Sequence, residues 1–90
     1  MSVKVNIHQT HHHLTGGNGV VEVGGKTVGE CLNHLVKVYP DLEEGLFDNK
    51  GKLLKNVEIY VNLESAYPNE LEKTVSDGDE IHIILMLAGG

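Results

Sequence analysis

The sequence predicts a two-layer α+β domain in which one amphipathic helix covers one face of a mixed β-sheet. Two observations carry this. Residues 3–8 and 57–62 alternate apolar and polar side chains, the period of strands with one buried face. Only residues 27–39 show helical spacing over several turns. With 90 residues there is room for a single domain and no internal repeat is visible, so residues 1–90 are read as one unit. A chain this short buries roughly 60–65% of the surface its unfolded form exposes, and its core must be economical.

Each element has its own signal. Val3, Val5 and Ile7 alternate with Lys4, Asn6 and His8 in a first strand. Residues 9–15 are polar and His-rich and predict an irregular, solvated connection. Gly16-Gly17-Asn18-Gly19 is a turn, because Gly and Asn accept positive φ at low cost. Val20-Val21-Glu22-Val23 is a second strand, broken by Gly24-Gly25-Lys26.

Thr27 and Glu30 fit a capping box at the start of the helix. Val28, Leu32, Leu35, Val36 and Tyr39 share one face, with Glu30, His34 and Lys37 opposite. Pro40 ends the helix by pushing Tyr39 out of the α region. Residues 41–56 mix charges with Leu42, Leu46, Phe47, Leu53 and Leu54, and predict a partly ordered loop plugging the edge of the core.

Residues 57–62 form a third strand. Residues 64–73 read as a surface excursion. A ferredoxin-like domain would need a second helix there, which Pro68 opposes. Thr74-Val75 is a short strand, Ser76-Asp77-Gly78-Asp79 a turn, and residues 81–87 the last strand.

Composition removes several classes of function. Thirteen acidic residues stand against seven lysines, with no arginine, for a net charge of −6. That excludes a nucleic-acid binder, which needs basic patches and arginine forks. Cys31 is the only cysteine, so neither an internal disulfide nor a thiolate zinc site can form. Residues 1–5 lack a signal-peptide pattern, and the apolar run 83–88 is too short to span a bilayer. The expected setting is therefore cytoplasmic, reducing and away from membranes.

Most side chains with chemical potential have bland readings. Cys31, at the edge of the helix's apolar face, reads as a small buried hydrophobe, and His34 projects away from it. Asp77, Asp79 and Glu80 lack calcium-loop spacing. Gly24-Gly25-Lys26-Thr27 lacks the full phosphate-loop spacing, so ATP is not expected to bind this chain. His8, His11, His12 and His13 are the rival site. Four imidazoles could make a metal-binding module, but no Asp, Glu or Cys lies among them, and a solvated loop with no metal is the preferred reading.

The sharper signal is Leu87-Ala88-Gly89-Gly90. A terminal glycine carboxylate has no Cβ to block a narrow channel, so a tail of about 87–90 can be threaded, extended and flexible, into another enzyme. The carboxylate is ionised and inert near neutral pH and needs activation, for example as an acyl-adenylate, which implies a partner enzyme and ATP. Ahead of it, Ile81, Ile83 and Leu85 face the core if His82, Ile84 and Met86 face outward. Ile84, Met86, Leu87 and Ala88 would then form a docking strip. The other reading buries this strand on both faces.

A set of segments in order resembles the ubiquitin-like sulfur-carrier family. They are Leu14-Thr15-Gly16-Gly17, Gly25-Lys26-Thr27-Val28-Gly29-Glu30-Cys31-Leu32, Val38-Tyr39-Pro40-Asp41-Leu42, Val57-Glu58-Ile59-Tyr60-Val61-Asn62, Asp77-Gly78-Asp79-Glu80-Ile81 and Leu87-Ala88-Gly89-Gly90. The likeness is greatest to the molybdopterin-synthase small subunit and its cysteine-biosynthesis cousin, and less to the shorter thiamin-pathway carriers. It implies a β-grasp fold and no catalysis by the chain itself. It implies that Gly90, approached through Gly89, is adenylated by a ubiquitin-activating-like enzyme. The adenylate then becomes a thiocarboxylate, drawing on a sulfur donor, and gives its sulfur to the large subunit of a synthase. A ubiquitin-like modifier joined through Gly90 to lysines is the alternative. The chain departs from the molybdopterin-type pattern in two places: Leu63 follows Asn62 where glycine is usual, and Ile84-Leu85-Met86-Leu87 lacks the usual proline.

Overall fold

Alternation sets the sheet. The computed structural model describes residues 2–86. Strands β1 (Val3–Asn6), β2 (Val20–Val23), β3 (Val57–Val61), β4 (Glu64–Ser65) and β5 (Glu80–Leu85) lie in the order β2-β1-β5-β3-β4. β1 pairs antiparallel with β2 and parallel with β5, and β5 pairs antiparallel with β3. The register sets Val5 beside Val21 and Ile81, and Ile59 beside Ile83, so one face of the sheet is continuously aliphatic.

Helix α1 (Val28–Val38) lies on that face with Val28, Cys31, Leu32 and Leu35 buried. The capping box forms with a small variation. The Thr27 hydroxyl accepts from the Glu30 N–H at 3.2 Å, while the Glu30 carboxylate accepts from the Lys26 N–H, one residue before the cap. Backbone bonds from Val28 N–H to Lys73 C=O and from Val75 N–H to Lys26 C=O, both 2.9 Å, tie the helix start to the segment read as a short strand, which forms only a bridge at Thr74.

Three segments are more ordered than their composition suggests. Gln9–Thr15 is a 3-10 helix rather than a solvated loop. The His12 Nε2–H reaches the Ile7 carbonyl at 2.8 Å, and the buried Thr15 hydroxyl sits between the carbonyls of His12 (3.1 Å) and Asn18 (2.6 Å). A Cβ at Gly45 would stand 2.8 Å from the His11 ring, so this segment packs directly on its neighbour. In the region read as an edge plug, Pro40–Leu42 makes a 3-10 turn that leads into the one-turn helix α2 (Glu43–Leu46). Leu42 and Leu46 are fully enclosed there and belong to the core itself. In the predicted excursion, Glu64–Ser65 forms β4, Ala66 is buried, and Glu70–Glu72 is a 3-10 turn against α1.

Strand ends also shift. The third strand stops at Val61 because Asn62 already turns, and the last begins at Glu80, with regular pairing to Leu85. The tail residues Leu87, Ala88, Gly89 and Gly90 lie outside the described residues.

Candidate functional site

β5 is central and hydrogen-bonded on both edges, yet among the described residues only one of its faces is covered. Ile81 and Ile83 are 0% and 2% exposed beneath α1, and Leu85 packs at the margin of the same core. On the other face Ile84 is 38% and Met86 53% exposed. The reading of a strand buried on both sides is thereby corrected: the sheet has one helical layer and its second face is open. Met86 extends the ladder one step by donating its N–H to the Asn56 carbonyl at 2.8 Å. Ile84, on β5, and Met86, one residue past its end, are two of the predicted docking residues, and both are held by backbone hydrogen bonds or strand pairing. Leu87 and Ala88, the other two, lie outside the described residues, as do Gly89 and Gly90, the residues expected to react.

The open face continues onto β3. Cross-strand pairing sets Glu58 beside Ile84 and Tyr60 beside His82. Beyond Val61 the chain reverses through Asn62 and Leu63 at φ of 51° and 73° and returns as β4. Positive φ at both central positions is the geometry of a type I′ hairpin turn, whose usual sequence is Asn-Gly. Asn62 suits its place. Its amide donates to Asp79 at 3.0 Å and accepts from the Glu80 N–H at 3.0 Å, locking the turn to the start of β5. Leu63 has no such fit: a Cβ is disfavoured at that φ, and its side chain is 81% exposed.

Glu58, Tyr60, Leu63, His82 and Ile84 together line a shallow cleft of about 390 Å³. The sequence reading missed Tyr60 and Leu63 here. The available signal was an apolar residue directly after Asn62 at the end of a strand. Two carboxylates flank the cleft: Glu58 within it and Glu80 4.0 Å from the His82 ring. Asp79, at the turn, is held below the usual carboxylate range by the Asn62 amide first and the Ser76 N–H second.

The remaining sequence candidates converge on nothing catalytic. Cys31 is fully enclosed, not at the face's edge, and burial, followed by the nearby Glu30 charge, pushes its thiol up. His34 turns away and accepts the Gly24 N–H at 2.9 Å. Of the four clustered histidines, His12 is engaged with the backbone and the rings of His11 and His13 stand 6.3 Å apart. The described residues contain no group of three or more His, Cys, Asp or Glu arranged to hold a metal ion. Asp77 accepts the Ser2 N–H at 2.7 Å and Asp79 the Ser76 N–H at 2.8 Å, which makes them turn residues. A larger recess of about 940 Å³ opens between residues 52–55 and 67–72, with Lys52, Lys55, Glu70 and Glu72 on its rim and neither Cys nor His in its lining. Among the described residues no helix is long and apolar enough to cross a membrane.

With this geometry in view, the comparisons are decisive. The ThiS family profile matches residues 5–90. The chain belongs to the ThiS family. It is a ubiquitin-like β-grasp protein of the sulfur-carrier and modifier group, whose members are small carriers rather than enzymes. It is 33% identical over 67 residues to small archaeal modifier protein 1 of Haloferax volcanii, covering 74% of each chain. CysO in the Amycolatopsis orientalis BexX/CysO complex superposes with a TM-score of 0.87 at 32% identity, over 98% of this chain and 99% of that one. CysO of Mycobacterium tuberculosis gives 0.85 at 33% identity, over 94% and 99%.

Proposed function

We propose that this ThiS-family carrier presents Gly90 to an activating enzyme and leaves it as a thiocarboxylate. In the first step a Gly90 carboxylate oxygen attacks the α-phosphorus of ATP held by that enzyme. Pyrophosphate departs and an acyl-adenylate remains. In the second step sulfide sulfur from a donor attacks the acyl carbon. The bond from carbon to the phosphate oxygen breaks, AMP leaves with the electron pair, and a proton is released. The thiocarboxylate then delivers its sulfur to the large subunit of a synthase making a molybdopterin-type cofactor or a related sulfur metabolite. The carrier supplies no catalytic group. Gly89 gives a slender approach, while Ile84, Met86, Leu87 and Ala88 hold the enzyme in register.

The observation that carries this reading is the open apolar face of β5, Ile84 and Met86, on the strand that leads directly into Leu87-Ala88-Gly89-Gly90. An enzyme working on Gly90 cannot stand far from that face, because the four residues after Met86 reach at most about 14 Å. The relative solved in complex with BexX supports a carrier held by a second protein. The relative named as a modifier favours a second reading, in which a lysine amine replaces AMP and an isopeptide forms.

Intact-mass measurement of the chain from its native host tests both. An oxygen-to-sulfur gain at Gly90 is the expected result. Gly90 isopeptides on target lysines with no sulfur gain would select the modifier. Deleting Gly90 is expected to leave the unfolding midpoint unchanged, since a terminal residue after the last strand commonly contributes little packing, and to abolish the mass gain. A surviving gain would show that the reactive group lies elsewhere.

A further inference from the structure

We infer that the Leu63 cleft is a specificity site for the activating enzyme: Leu63 is an apolar anchor for it, and the cleft receives an apolar side chain flanked by basic groups. The inference rests on the proposed function and goes beyond the Ile84 and Met86 strip.

Two features single out Leu63. It occupies the position of an I′ turn that glycine fills without strain, at a φ of 73°. It also puts a large aliphatic side chain almost wholly into water, at 81% exposure. Neither feature serves folding, since a glycine there would relax the backbone and expose less apolar surface. A residue that opposes both turn geometry and solvation, yet forms one wall of a cleft, is explained by what it contacts when the cleft is filled.

The occupant follows from the surroundings. Tyr60 and Ile84 give the cleft an apolar floor beside Leu63, so an aliphatic or aromatic side chain fits it. Glu58 lines the cleft, Glu80 stands 4.0 Å from the His82 ring, and the chain carries a net charge of −6, so the partner surface around that side chain is basic. The cleft shares Ile84 with the docking strip, so the enzyme that grips Gly90 passes over it.

Leu63→Gly tests this, because turn geometry and docking respond to it in opposite directions. Charging is followed with the native host's activating enzyme, by ATP–pyrophosphate exchange and by the intact-mass sulfur gain. The variant is expected to unfold at the wild-type temperature or higher and to raise the KM for the carrier about tenfold or more, with kcat nearly unchanged. Leu63→Met, which keeps an apolar knob, is expected to stay within about threefold of the wild-type KM. A wild-type KM in Leu63→Gly, with the wild type itself charged, would overturn the anchor role alone. A wild type that never gains sulfur or exchanges pyrophosphate would overturn the proposed function and this inference with it.

Discussion

The two faces of β5 are built from the same kinds of residue and do opposite things. Ile81 and Ile83 lock the sheet to α1, whereas Ile84 and Met86, on the same backbone, are left in contact with water. Neighbouring strands fix both sets equally well. The difference is the layer above each: α1, Leu42 and Leu46 on one side, solvent on the other. A central strand can therefore be a structural keystone and still keep an apolar face open, without a flexible loop.

Substitutions sharpen that contrast. Ile81→Ala leaves a cavity under α1 and is expected to cost about 2–5 kcal/mol, lowering the thermal midpoint by about 10 °C or more. A loss below about 1 kcal/mol would mean that the two faces are not energetically distinct. Thr27→Ala removes the oxygen that accepts the Glu30 N–H and is expected to cost about 1 kcal/mol in urea unfolding, with docking unaffected. Ile84→Ser, on the open face, should change stability by less than about 1 kcal/mol while slowing charging of Gly90. Equal losses of stability from Ile81 and Ile84 would erase the contrast.

The smallest effect concerns acid. Asp79 is held below its ordinary range by Asn62 and Ser76, and Asp48 by the N–H groups of Lys52 and Lys50. A carboxylate with a lowered native pKa favours the fold when ionised. That contribution is complete above the unfolded value of about 3.9 and is lost as pH falls through the lower native one. Urea midpoints measured from neutral to acid pH should be level until about pH 4 and then fall, less steeply in Asp79→Asn. An equally steep fall in the variant would remove Asp79 from the account.

The layered fold was legible in the sequence because period-2 alternation and a capped amphipathic helix are local patterns. The segments that read wrongly depend on distant partners. Residues 9–15 gain their helical turns from the His12 bond to Ile7 and from Gly45 closing on His11, neither of which shows in composition. Leu42 and Leu46 sit in elements too short to display a period. At the site, the outward phase of Ile84 and Met86 was one of two readings open in an apolar run, and only the open sheet face decides it. The cleft did not, because it needs β3 beside β5 and a hairpin whose second turn residue lacks the expected glycine.

The place of β5 also orders events during synthesis. β1 and β2 leave the ribosome first, then α1, then β3 with β4, and these pieces share no ladder until β5 is inserted between β1 and β3. The proposed docking face needs His82 and Ile84 of β5 beside Glu58 and Tyr60 of β3, so a chain that lacks β5 has not assembled it. If Gly90 is charged as proposed, quality control is inherent in the strand order, since only a molecule that has closed its sheet presents the docking face. A nascent chain halted before Glu80 should accordingly be protease-sensitive throughout.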